Sequence, residues 1–219
     1  MTSSDGNLSQ QVARALLEVR AVFLRPDDPF IWASGIKSPI YCDNRLTLSD
    51  HKVRSLIEEG IASTVNALYP ECEGLMGTST AGIPHAAIAA HLLKLPMGYV
   101  RGGQKDHGRK NQVEGRLLPG QKVVVIEDLI STGGSVAEVV RILRAAGAQV
   151  LGIVSIFTYG MQKGLERLKE AGIENHSLTD FDTLVYLAAH ENYIAPNDAP
   201  RLLAFRDDPA DESWIGENR

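Results

Sequence analysis

The run Val123-Val124-Val125-Ile126 is the feature that most narrows what this chain can become. Four branched aliphatic residues in succession leave no polar face, so the strand they form, Lys122–Ile126, must be covered on both sides. That is the signature of a parallel sheet between two layers of helices. The rest of the chain keeps the same rhythm. Strands are expected at Gly74–Gly77, Gly98–Val100 and Gln149–Phe157, and helices at Ala86–Leu95, Val136–Ala146, Leu165–Ala171 and Phe181–His190. Strands alternating with helices mean βαβ units, hence an α/β fold with a mostly parallel central sheet.

Upstream, Leu8, Val12, Ala15, Leu16, Val19, Val22 and Phe23 recur at helical spacing, which predicts one amphipathic helix over Leu8–Phe23. Phe30–Ala33 and Ile40–Asn44 flank Ser34-Gly35 and Ser38-Pro39 and read as a β-hairpin or strand–turn–strand. A long helix then opens at Ser49-Asp50, with Val53, Leu56, Ile57, Ile61, Val65 and Leu68 along one face. Two segments break the rhythm. Arg101–Arg116 carries five Lys or Arg residues, glycines near both ends, and Val113 as its one aliphatic residue, and it reads as a long, mobile, basic loop. The tail beyond Ala195 holds Pro196, Pro200 and Pro209 and is expected to pack through Leu202, Leu203 and Phe205. With no internal repeat or linker, 1–219 reads as one domain: an N-terminal helix and hood (about 1–48), an α/β core (about 49–195) and a C-terminal extension (196–219).

Composition removes several functions. The formal charge is −5 at pH 7, the wrong sign for a general nucleic-acid binder. Cys42 and Cys72 make no disulfide framework and belong to no CxxC pattern, so they read as packed thiols of a cytoplasmic protein. The first ten residues lack the basic and apolar regions of a secretory signal, and no apolar run reaches the roughly 18 residues of a membrane span. No nucleic-acid or membrane partner is expected.

The chemistry concentrates where the apolar strand stops. Glu127 and Asp128 follow it, then Leu129, Ile130 and the small polar loop Ser131-Thr132-Gly133-Gly134-Ser135, then a helix. In parallel α/β sheets ligands sit at the carboxyl ends of strands. Glycines let backbone N–H groups approach an anion, hydroxyls add donors, and a helix N-terminus favours negative charge. The loop lacks the lysine of GxxxxGK[ST]. Two carboxylates beside a phosphate cradle would repel it unless they hold something else, and ribose hydroxyls with a hydrated Mg²⁺ would satisfy both.

Val123–Ser135 resembles the PRPP-binding motif of the type I phosphoribosyltransferases: a hydrophobic strand, two acids and a small polar loop with glycine (PRPP is phosphoribosyl diphosphate). Tyr99–Gly115, YVRGGQKDHGRKNQVEG, is similar to the catalytic loop of the orotate phosphoribosyltransferases, with Arg101, Lys105, His107 and Gly108 matching. Phe30–Arg45 resembles that family's N-terminal signature around Ser-Gly-x-Lys-Ser-Pro, and Gly77–Ala87 its pyrophosphate loop. The resemblance runs from about Leu8 to Phe205.

It implies the type I phosphoribosyltransferase fold and a pentosyltransferase that moves the phosphoribosyl group from PRPP to orotate with Mg²⁺, for pyrimidine nucleotide synthesis. It assigns PRPP to Arg101, Lys105, His107, Glu127, Asp128, Leu129, Ile130, Ser131, Thr132, Gly133, Gly134 and Ser135, with Lys105, His107 and Asp128 as the catalytic group. Pyrophosphate falls to Thr78, Ser79, Thr80, Ala81 and Gly82, and orotate to Ser131 and Lys37. No protein atom is expected to ligate the Mg²⁺ directly; PRPP and water hold it near Glu127 and Asp128. The resemblance also implies a homodimer in which each Arg101–Arg116 loop serves the neighbouring subunit's site. The sequence departs from some family members at Ala33 and Gly102, and no arginine stands in Phe157-Thr158-Tyr159-Gly160. The rivals are a purine or uracil phosphoribosyltransferase of the same fold and a PRPP-sensing regulator.

Overall fold

The computed structural model describes residues 7–32, 35–102 and 112–216. Helix α1 (Leu8–Glu18) starts at Asn7, whose side chain accepts from the Gln10 N–H at 3.0 Å. It is shorter than its periodicity predicts. Arg20 turns the chain at φ +55°, and Val22–Leu24 become strand β1. Strands β2 (Phe30–Ile31) and β3 (Lys37–Ser38) pair antiparallel around Gly35. Strand β4 (Ile40–Cys42) pairs with β1 rather than with β2. The expected hairpin therefore exists, but with Lys37–Ser38 as its second strand.

A 3-10 turn, Asn44–Ser49, leads into α2 (His51–Leu68). Asp50 caps α2, accepting from the N–H groups of Lys52 and Val53. The core then runs β5 (Gly74–Thr78), α3 (Gly82–Leu93), β6 (Met97–Val100), β7 (Val113–Glu114), β8 (Lys122–Ile130), α4 (Gly134–Ala145), β9 (Gln149–Thr158), α5 (Gln162–Glu170), β10 (Asn175–Asp180) and α6 (Phe181–His190), followed by α7 (Ala199–Asp207).

One six-stranded sheet has the order β10-β9-β8-β5-β6-β7. All its pairings are parallel except β6 with β7. Val124 and Ile126 of β8 face the larger apolar cluster, under α1, α2, α3 and α6, while Val123 and Val125 face the smaller one, under α4 and α5. The aliphatic run is thus buried on both sides, as its composition requires. Strand β8 outlasts that run by four residues because β9 keeps pairing with it to Thr158. The acid pair consequently lies within the extended strand rather than after its end.

Besides β1 and the short β7, which falls inside the segment read as a loop, β10 and α7 are absent from the sequence pattern. Strand β10, NHSLTD, is too polar to announce itself, and it is held by register with β9 and by Ser177 Oγ against Ser155 Oγ at 2.7 Å. Helix α7 buries Leu202 and Phe205 fully, and Trp214 packs on Phe205. The chain leaves β5 through α3 toward β6 and leaves β8 through α4 toward β9, in opposite directions. The crevice between the ends of β5 and β8 is therefore the topological switch point, where open α/β sheets bind ligands.

Candidate active site

The switch point gathers three of the segments singled out from the sequence. At the end of β8 the two acids part company. Glu127 is buried, with 6% of its surface exposed. Its Oε1 accepts from Thr78 Oγ1 at 2.6 Å and from the Asp128 N–H at 3.0 Å. Burial, reinforced by the neighbouring Asp128 carboxylate, pushes the Glu127 carboxyl up to about 8, since a low dielectric and a like charge both disfavour the ionised form. Asp128 is half-buried. Its carbonyl accepts from Asn44 Nδ2 at 2.7 Å.

Beyond β8 the loop Ser131–Gly133 turns into α4. Gly133 sits at φ +70°, a conformation costly for any residue with a Cβ. The loop lies tight against α5. A Cβ on Gly164 would come within 2.5 Å of the Ser131 carbonyl oxygen, and Arg167 Nη1 donates to the Thr132 carbonyl at 3.0 Å. The first turn of α4 has no acidic side chain and no side-chain cap, and a concavity of about 90 Å³ beside it is lined by Glu127 and Leu129–Val136. The first N–H groups of a helix have no partner within it and attract an anion.

The second loop joins β5 to α3. Thr78 is committed to Glu127, so its hydroxyl links the two loops. Ser79 Oγ donates to the Val100 carbonyl at 2.6 Å and accepts from the Gly102 N–H at 2.8 Å. The Ser79-Thr80 peptide is cis, and Ala81 leads into α3. Gly82 opens the helix so close to β8 that an added Cβ would lie 2.5 Å from the Ile126 carbonyl oxygen.

The third segment starts from β6. Arg101 Nε lies 2.8 Å from Glu114 Oε1, and its N–H bonds the Gln112 carbonyl at 2.9 Å. With Tyr99 paired to Glu114 and Val100 to Val113, both ends of the loop are fixed beside Ser79. Lys105 and His107 lie outside the described residues.

Other residues of the segments singled out from the sequence go elsewhere. Lys37 Nζ is 2.7 Å from Glu212 Oε2, tying β3 to the C-terminal segment. Trp32 packs edge-on against Tyr159 and Phe205. Ser131 borders a second, larger cavity of about 770 Å³ with Thr158, Gly160, Met161 and Asp180. His85 is fully buried, its Nδ1 2.7 Å from Glu58 Oε1, and joins α3 to α2. Sequence reasoning missed Asn44 and the Thr78–Glu127 bond, because neither has a local pattern and both span distant parts of the chain.

Among the described residues no cluster of three or more His, Cys, Asp or Glu could hold a metal. The acid pair offers two carboxylates at most. That donor set fits a cation such as Mg²⁺, which keeps most of its waters and takes its other oxygens from a phosphate ligand.

A family model, Phosphoribosyl transferase domain, matches residues 59–180. The chain is 54% identical over 208 residues to the orotate phosphoribosyltransferase of Bacillus subtilis, across 95% of this chain and 96% of that protein. Among solved structures, the orotate phosphoribosyltransferase of Aeropyrum pernix superposes with a TM-score of 0.73 at 29% identity, covering 82% of this chain and 98% of that one. The UMP synthase of Leishmania donovani superposes at 0.77 with 26% identity, over 90% of this chain and 42% of that longer one.

Proposed function

The chain belongs to the orotate phosphoribosyltransferases, and on that premise we propose how its residues divide the transfer of a phosphoribosyl group from PRPP to orotate. The reaction yields orotidine 5′-phosphate and pyrophosphate and serves pyrimidine nucleotide synthesis. The observation that carries the assignment of roles is the Thr78–Glu127 bond at 2.6 Å. It sets the pyrophosphate loop and the acid pair side by side at the switch point.

Asp128, the more open acid, faces the ribose hydroxyls, and Glu127 stands behind it as the link to Thr78. The N–H groups of Leu129, Ile130, Ser131, Thr132, Gly133, Gly134 and Ser135, with the loop hydroxyls, hold the 5′-phosphate. Ser79, Thr80, Ala81 and Gly82 wrap the diphosphate. When bound, Mg²⁺ neutralises diphosphate charge, and Asp128 and Glu127 would hold it through its waters. As the bond from C1 to the diphosphate breaks, Arg101, Lys105 and His107 stabilise the departing pyrophosphate, and orotate N1 attacks from the opposite face. Ser131 contacts orotate; Lys37 would reach it only by leaving Glu212. Positioning and preorganised charge supply most of the rate.

The enzyme works as a homodimer, each Arg101–Arg116 loop closing over its partner's PRPP. The likeness of Tyr99–Gly115 to the family's catalytic loop and one feature of the surface support this. Helix α3, which leads out of the pyrophosphate loop, carries no Asp, Glu, Lys or Arg yet leaves Leu92 46% exposed, as does a helix covered on both sides in an assembly. Two free cysteines and an acidic composition fit a cytoplasmic enzyme.

The test offers orotate, uracil, hypoxanthine and adenine separately with PRPP and Mg²⁺ and identifies the nucleotide formed. Orotidine 5′-phosphate is expected as the dominant product. Turnover of a purine or uracil at a comparable rate, with orotate inert, would refute the reading.

A further inference from the structure

Strand β8 loses its β5 neighbour after Ile126, where the pairing of the two strands ends. Two residues later a side chain from the N-terminal unit arrives. Asn44, 1% exposed, donates from Nδ2 to the Asp128 carbonyl at 2.7 Å. Its amide has a fixed orientation, because Cys42 Sγ donates to Asn44 Oδ1 at 3.2 Å. An amide whose oxygen is taken in this way presents its NH₂ to the carbonyl. Burial pushes the Cys42 thiol up, and Asp128 and Asp43 reinforce the shift, so the thiol stays a donor. Thr47, fully buried, donates from Oγ1 to the Asn44 carbonyl at 2.6 Å and fixes the main chain behind it.

The other main-chain group of Asp128 is also held by a side chain, its N–H by Glu127 Oε1 at 3.0 Å. Asp128 is therefore gripped on one side by the acid that reaches Thr78 and on the other by the N-terminal unit. We infer that Asn44 is a positioning residue for the transfer, setting the direction of the Asp128 carboxylate and tying the N-terminal unit to the PRPP-holding acids. The inference rests on the role given to Asp128 above. No substrate contact is assigned to Asn44; it acts through Asp128.

Misplacing a positioned group by an ångström can cost about a hundredfold in rate. Losing one of the two bonds that hold Asp128 is expected to cost about tenfold. Asn44→Asp keeps the shape and the acceptor for Cys42 but turns a carboxylate toward the Asp128 carbonyl, so Asn44→Ala, which adds no charge, is read beside it. Asn44→Ala removes both, and Cys42→Ala removes only the bond that orients the amide. With folded enzyme quantified by its melting transition, Asn44→Asp and Asn44→Ala should lower kcat about tenfold, with KM for orotate changed less than about threefold. Cys42→Ala should lower kcat by a smaller factor in the same direction. A purely structural role would lower the melting temperature and leave kcat per folded site alone.

Wild-type kcat, within twofold, in the folded variants would overturn the inference while leaving the function intact. If the Asn44 variants do not fold, unchanged kcat in Cys42→Ala overturns it. A wild-type enzyme unable to turn over orotate would overturn the functional reading and this inference together.

Discussion

Glu127→Gln should make the protein more stable at alkaline pH even as it damages the site. The Glu127 carboxyl is buried and bonded to Thr78 and to the Asp128 N–H, and its pKa is pushed from the ordinary 4.5 up to about 8. A group whose folded pKa is raised holds its proton more tightly in the folded state. Its contribution to stability is fully present below pH 4.5 and is lost as pH rises through about 8. At about 1.4 kcal/mol per pH unit, that rise bounds the loss at about 5 kcal/mol. Sharing of the proton with Asp128 reduces it. Half of the bound would still move the melting temperature of a chain this size by about 5–10 °C. Glutamine keeps the oxygen that accepts from Thr78 and from the Asp128 N–H but cannot ionise. The assay is thermal unfolding of wild type and Glu127→Gln at intervals from pH 5 to 8.5, without substrates. The wild-type curve should fall relative to the variant as pH rises, and the variant should be the more stable at pH 8.5. Parallel curves, or a variant less stable at every pH by the same amount, would refute the reasoning.

Two further outcomes test the proposed roles. Gly82→Ala places a Cβ against the Ile126 carbonyl oxygen and Thr78; overpacking of this kind costs about 1–3 kcal/mol, so a lower denaturant midpoint together with a raised KM for PRPP is expected, and an unchanged midpoint would mean that α3 shifts freely. If the loop is shared between subunits as proposed, Lys105→Ala and Asp128→Asn homodimers should each be nearly inactive, yet random mixing should restore about a quarter of wild-type activity, because half the dimers are hybrids with one intact site in two. Activity that stays at the parental level despite demonstrated subunit exchange would place the loop in its own chain's site.

The sheet was legible wherever burial on two faces forced an aliphatic run, as at Val123–Ile126. It was illegible where register rather than composition makes the strand. Strand β10 has one large aliphatic residue, Leu178, and its existence depends on β9 beside it. The same effect hid the last four residues of β8, since Glu127 and Asp128 look like the end of a strand until the partner is known to continue. Helix α1 was read too long because Val22 and Phe23 fall at helical spacing, and spacing carries no information about the positive φ at Arg20. At the site, the acid pair and the glycine–hydroxyl loop were visible because their chemistry is contiguous in sequence. What set Glu127 apart from Asp128 was not, since it depends on Thr78, 49 residues away, and on Asn44, 84 residues from Asp128.

The account stands on Asp128 acting at the centre of phosphoribosyl transfer to orotate. The most direct test follows orotate absorbance in wild type and Asp128→Asn side by side, with melting temperatures recorded for both. Wild type should consume orotate only when PRPP and Mg²⁺ are both present, and Asp128→Asn should fold normally with kcat lowered at least about a hundredfold, in the range seen when a group that stabilises the transition state is removed. Near-normal kcat in a well-folded Asp128→Asn enzyme would contradict the account.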